Sequence, residues 1–217
     1  MGIINATPDS FYKGNIDEDM LQLATTMITD GADILDIGGQ STRPSSERIS
    51  VDEEIHRVVP VISAIHQAFP ETIISVDTYN SIVAKEAVEA GAAIVNDISG
   101  GTMDAKMLQT VADLQVPYVC MHIQGSPENM QHEPKYNNVV TEVLDFCYDK
   151  IAECRKAGIK DIIIDPGFGF GKSLEHNLKM LADFDQFSQL GYAVLAGMSR
   201  KSMLGKLTGR DTNDRVA

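Results

Sequence analysis

Seven short apolar runs recur along the chain, and their spacing limits the possible folds more than any other feature. They cover residues 2–4, 33–37, 73–76, 93–95, 118–121, 162–164 and 193–195. Each run is nearly continuous rather than alternating, the pattern of strands in a parallel sheet covered on both faces. The stretches between them carry helical periodicity. The clearest spans 50–68, with Val51, Ile55, Val58, Val59, Ile62 and Ile65 on one side and capping-box spacing from Ser50 to Glu53. Strand and helix alternate throughout.

A weak internal echo runs through the same units. Gly31-Ala-Asp-Ile-Leu-Asp36, Gly91-Ala-Ala-Ile-Val-Asn-Asp97 and Gly158-Ile-Lys-Asp-Ile-Ile-Ile-Asp165 share one logic: a glycine ends a helix, an apolar strand follows, and a polar residue closes it. Repeated βα units predict either a doubly wound sheet or a (β/α)8 barrel. The strands close on Asn5, Asp36, Asp77, Asn96-Asp97, His122, Asp165 and Ser199-Arg200-Lys201. A doubly wound sheet concentrates its ligand groups at one switch point, whereas a barrel gathers every strand end around one mouth. Polar residues at all the ends predict an α/β, (β/α)8 TIM barrel as one domain over 1–217. A closed barrel needs about 250 residues, so the eighth βα unit is expected to be missing from the sequence as it stands.

Composition excludes several functions. With 43% hydrophobic and 23% charged residues the chain reads as a globular enzyme. A net charge of −13 argues against a nucleic-acid partner, which needs a basic face. An anionic substrate would require cations concentrated locally. The three cysteines, Cys120, Cys147 and Cys154, form no Cys-x-x-Cys pair and suit a reducing cytoplasm. No apolar run reaches about 18 residues and no export signal is recognisable, so neither membrane insertion nor secretion is expected.

Residues 165–172, Asp-Pro-Gly-Phe-Gly-Phe-Gly-Lys, hold the densest chemistry. A strand delivers a carboxylate, three glycines allow close backbone approach, two phenylalanines offer flat faces, and Lys172 precedes Ser173 as a helix N-cap. Asp77, Asn96 and Asp165 at three strand ends suit a flat heterocycle with adjacent N–H donors. Arg43, Lys172, Arg200 and Lys201 are the cations placed to meet phosphate. Asn5 offers an amide oxygen to a hard divalent cation. His122 has no partner nucleophile and reads as a brace of the mouth. His56 and His66 read as outer-surface residues, and Met103 and Met107 as helix packing.

Taken in order, the segments Met-Gly-Ile-Ile-Asn-Ala-Thr-Pro-Asp-Ser-Phe, Gly-Gly-Gln-Ser-Thr-Arg-Pro, Ser-Val-Asp-Thr, Asn-Asp-Ile-Ser-Gly, Cys-Met-His-Ile-Gln-Gly, the octet at 165–172 and Gly-Met-Ser-Arg-Lys-Ser resemble the dihydropteroate synthase family. The likeness runs from Met1 to about Gly209. It implies condensation of 6-hydroxymethyl-7,8-dihydropterin pyrophosphate with p-aminobenzoate, aided by Mg²⁺, in the folate pathway that sulfonamides block. By that resemblance Asp77, Asn96, Asp165 and Lys201 hold the pterin, with Met121 packed near it. Asn5 helps bind Mg²⁺. Thr42, Arg43 and Pro44 lie on a closing loop, with Arg43 and Lys201 assisting catalysis. Phe11, Phe170, Lys172 and Ser199 help form the p-aminobenzoate pocket. A homodimer is implied as well.

Three departures from the family pattern stand out. No Arg-x-His motif is present, the loop around Tyr12-Lys13-Gly14-Asn15 is short, and Ser45-Ser46 follows Pro44 where glycine is usual. Two other readings share the pterin ligands: a pterin-dependent methyltransferase domain and a catalytically silent pterin-binding relative or fragment.

Overall fold

In a computed structural model the chain is described at residues 1–6, 16–40, 48–127, 130, 133–211 and 214. Every predicted apolar run forms a strand: β1 (Gly2–Asn5), β2 (Ile34–Gly38), β3 (Ile73–Asp77), β4 (Ile94–Asp97), β5 (Tyr118–Met121), β6 (Ile162–Asp165) and β7 (Ala193–Val194). Strands β1, β3 and β6 run one residue further than predicted, through the polar residue expected to close them.

All six strand pairings are parallel, and the order across the sheet is the order along the chain. This decides between the two architectures. A doubly wound sheet reverses its strand order at a switch point, while a sheet that only advances is wound as a βα barrel. Helices α1 (Ile16–Thr29), α2 (Val51–Ala68), α3 (Ser81–Glu89), α4 (Met107–Leu114), α5 (Val139–Ala157) and α6 (Leu174–Ala182) carry the chain back between strands. The short α7 (Asp185–Ser188) precedes β7, and α8 (Ser202–Thr208) follows it. Each of α1 to α6 packs beside the next. The described residues thus hold seven βα units of a TIM barrel, with β1 and β7 at the edges of the sheet.

Strand alternation sorts the side chains between two compartments. Leu35, Ile37, Ile74, Val76, Val95, Tyr118, Cys120 and Ile164 join one core with Val58, Ile62 and Ile65 of α2. The residues between them face the other way, into the barrel. Register aligns Asp36 with Ser75, Gly38 with Asp77, and Asp77 with Asn96 on that inner face. Burial in the outer layer is worth about 25 cal/mol per Å² of apolar surface. It holds in place a sheet whose inner face is unusually polar.

Helix starts follow the sequence with one difference. Ser50 caps α2 by accepting from the Glu53 amide at 3.2 Å. Glu53 does not return the capping-box bond; its carboxylate accepts from Arg57 Nε at 2.8 Å instead. The full box forms at α6, between Ser173 and His176. All three cysteines are buried and free, and His56 and His66 are exposed, as predicted. No helix among the described residues is long and apolar enough to cross a membrane.

Candidate active site

At the C-terminal end of the sheet the inner-face polar residues converge. Asp165 ends β6 with 6% exposure and accepts from the Gly167 amide at 2.8 Å. Burial pushes its carboxyl up, while the Gly167 N–H, Lys201 and Lys172 oppose the shift. Asp77 ends β3 half-buried, and burial followed by the charges of Asp36, Glu54 and Asp97 drives its carboxyl well above the usual range. A side chain at Gly38 would crowd it, since a Cβ there would lie 3.3 Å from Asp77 Oδ2.

Asn96 is half-buried between them and donates its amide to Asp36 Oδ2 at 2.9 Å. Asp36 was read as a strand terminus, yet it lies two residues inside β2, 5% exposed, on the floor beneath Asp77 and Asn96. It belongs to the site that sequence reasoning assembled without it. Asp97, next to Asn96, points outward. It accepts from the Ser99 amide and hydroxyl, the Gly101 amide and the Tyr118 hydroxyl, and is part of the packing layer.

The octet after β6 is built differently from its sequence reading. Gly167 and Gly171 hold left-handed φ of +70° and +62°. A Cβ at Gly167 would meet the His122 carbonyl at 1.9 Å, and one at Gly171 the Gln124 carbonyl at 2.4 Å. These glycines let the loop press against the chain leaving β5. Phe168 turns into the core at 0% exposure, leaving Phe170 alone at the mouth. Lys172, expected among the phosphate cations and in the p-aminobenzoate pocket, is 3% exposed. Its ammonium donates to the Gly167 and Phe170 carbonyls at 2.9 and 3.0 Å and lies 2.8 Å from His122 Nδ1. Lys172 ties the loop together and also lines the cleft beside Lys201. Burial, aided by Lys172, brings His122 down to about 3, so its neutral ring accepts.

Lys201 sits at the N-cap of α8 and occupies the mouth directly. Its ammonium donates to the Phe168 carbonyl and lies 4.5 Å from the centre of the Phe170 ring, a cation–π contact. Burial lowers it to about 8 against the pull of Asp165. Beside it opens a cleft of about 100 Å³ whose lining includes Gly169, Lys172, Ser173, Lys201, Ser202 and Lys206. Ser202 and Lys206 were not predicted. The signal available was their i, i+4 spacing on one face of α8, starting directly after the Ser-Arg-Lys segment. Ser199 is exposed on the loop before it, and Asn5 is exposed at the end of β1.

A separate apolar cluster covers the mouth. Tyr79, Ile98 and Met121 are buried together, with Met103, Ile123 and Phe170 packed around them; Met121 ends β5 and the others come from the loops after β3 to β6. Met103 thus belongs to the mouth, whereas Met107 packs in the helix layer as predicted. Acceptors below and flat apolar surface beside them suit a planar ring with N–H donors. Phe11, Thr42, Arg43 and Pro44, assigned to the loops after β1 and β2, lie outside the described residues.

The family model described as "Pterin binding enzyme" matches residues 1–217. The dihydropteroate synthase of Haemophilus influenzae is 44% identical over 100% of this chain and 80% of that protein. A Xanthomonas albilineans dihydropteroate synthase solved with 4-aminobenzoic acid is 42% identical, with TM-score 0.92, covering 100% of this chain and 78% of that one. The same enzyme in complex with 7,8-dihydropteroate is 40% identical at TM-score 0.86, covering 99% and 78%.

Proposed function

The chain belongs to the dihydropteroate synthases of the pterin-binding enzyme family, and we propose that its barrel mouth joins 6-hydroxymethyl-7,8-dihydropterin pyrophosphate to p-aminobenzoate. The observation that carries this is the convergence of Asp77, Asn96, Asp165 and Lys201 at one end of a parallel sheet. A relative with the same fold is solved with the product, 7,8-dihydropteroate.

In this reading the acceptor oxygens of Asp77, Asn96 and Asp165 take the N–H donors of the pterin, and Met121 and Phe170 cover its faces. Carboxylates whose charge is disfavoured by burial gain most from a ligand that brings donors and develops positive charge. As the C–O bond to pyrophosphate breaks, the bonding pair leaves with the phosphate oxygen and the pterin methylene becomes electron-poor. Asp77 and Asp165 stabilise that cation. The arylamine nitrogen then forms the new C–N bond and loses a proton to solvent. Lys201, with Lys172, Ser202 and Lys206 along the adjoining cleft, supplies the positive charge for the p-aminobenzoate carboxylate, and the exposed Ser199 on the loop before α8 borders the approach. Phe11, Thr42, Arg43 and Pro44 are proposed to complete the mouth from the two loops above it. Positioning, not a protein nucleophile, carries the acceleration.

Asn5 fits a hard cation. Its exposed amide stands beside Gly38 at the sheet end. The described residues hold no cluster of three His, Cys, Asp or Glu that would cage a metal, so the ion would share one amide oxygen with phosphate oxygens and water. Mg²⁺ held there would shield the charge of the departing pyrophosphate.

We further propose a cytoplasmic homodimer. Free buried thiols support a reducing compartment, and the outer helices would carry the contact between copies. Mixing both substrates with the chain, with and without Mg²⁺, tests the activity. Mg²⁺-dependent dihydropteroate formation is expected; pterin binding without turnover would mark a silent relative.

A further inference from the structure

The floor of the mouth contains a carboxylate that the ligand set above does not use. Asp36 is 5% exposed, and only one of its oxygens is bonded, to Asn96 Nδ2 at 2.9 Å. Among the described residues Oδ1 has no hydrogen-bond partner, and neither does the hydroxyl of the adjacent Ser75. Burial pushes the Asp36 carboxyl up, and the nearby Ser75 hydroxyl, followed by Asn96, opposes that push. A buried, half-satisfied carboxylate costs stability. An apolar residue would fill the interior of a barrel better.

The bond to Asn96 suggests what the carboxylate does. An amide end presents either a donor or an acceptor, and rotation by half a turn exchanges them. A carboxylate only accepts. Its contact with Asn96 therefore fixes which end of the amide is the nitrogen and leaves the Asn96 amide oxygen, to which no described residue donates, as the free end. The inference rests on the pterin reading of this mouth.

We propose that Asp36 is a positioning residue for pterin recognition: its carboxylate locks the Asn96 amide so that its oxygen faces the ring as an acceptor. Without that lock, Asn96 can present its NH₂ to the ring's own N–H donors, and donor meets donor. Asp36 itself need not touch the substrate.

The test is a charge swap. Asp36→Asn frees the amide to rotate, and Asn96→Asp sets two carboxylates against each other. The double variant D36N/N96D restores one carboxylate, one amide and an acceptor oxygen at position 96. Pterin affinity by calorimetry and KM for each substrate are measured for the wild type, both single variants and the swap. The expected result is at least tenfold weaker pterin binding in each single variant with KM for p-aminobenzoate unchanged, and recovery to within a few fold in the swap. A role in packing alone predicts no recovery.

Wild-type pterin affinity in D36N, or a swap no tighter than N96D, overturns the proposal while leaving the pterin pocket intact. If D36N does not fold, the comparison of N96D with the swap decides alone. A wild-type chain that binds no pterin overturns the functional reading, and this inference with it.

Discussion

The Lys172 ammonium lies 2.8 Å from His122 Nδ1 and fastens the loop after β6 to the chain leaving β5. The same amine donates to the Gly167 and Phe170 carbonyls, so one buried side chain sets the position of Phe170 at the mouth. Phe170 in turn carries Lys201 over its ring. Loop geometry and site chemistry are coupled through one side chain.

Lys172→Met should therefore destabilise the fold by about 1–3 kcal/mol, because buried carbonyls lose their donor. Urea unfolding measures it. A variant of wild-type stability with weakened pyrophosphate binding would return Lys172 to the phosphate role first read from the sequence.

Activity should fall as pH rises past about 8. Burial lowers Lys201 to about 8, so its positive charge is present below that value and lost above it. Its effect on stability runs the opposite way. A folded value below the ordinary 10.5 makes the folded state hold fewer protons between the two, so this contribution to stability rises with pH across that window. The pH profile of kcat/KM checks the first claim, and Lys201→Arg should move its alkaline limb outward.

Asp77→Asn should lower activity yet raise stability near neutral pH, by about 1 kcal/mol or roughly 2–4 °C in Tm. Burial and three neighbouring carboxylates raise Asp77 well above the usual range. A raised folded value means its cost grows as pH climbs through that value. Thermal melts at acid and neutral pH should show the variant's advantage widening with pH.

Tyr118→Phe should cost about 1–3 kcal/mol while leaving pterin affinity unchanged. Its hydroxyl donates to Asp97 Oδ2 at 2.7 Å in the outer layer, behind the strand that carries Asn96. Calorimetry with melting curves separates the two effects.

The barrel was legible because continuous apolar runs and polar strand ends report sheet burial and mouth position directly. Period-two alternation also explains why adjacent Asn96 and Asp97 part company: one faces the barrel, the other the helices. Asp36 was harder, since a carboxylate inside a strand looks the same in sequence as one at its end. Phe168 misled for a related reason. Composition shows that a cation and a ring follow the strand, but left-handed glycines decide where each points, and those depend on the His122 and Gln124 carbonyls many residues away. The half-formed cap at Ser50 failed because Arg57 competes for Glu53.

The most direct test of the central claim is pterin binding by Asp165→Asn, measured by calorimetry beside the wild type. Asp165 is buried at the end of β6 with one backbone donor and Lys201 nearby, and an amide there would lose an acceptor. The account predicts at least a tenfold loss of affinity with the fold intact. Unchanged affinity would contradict it and remove Asp165 from the pocket.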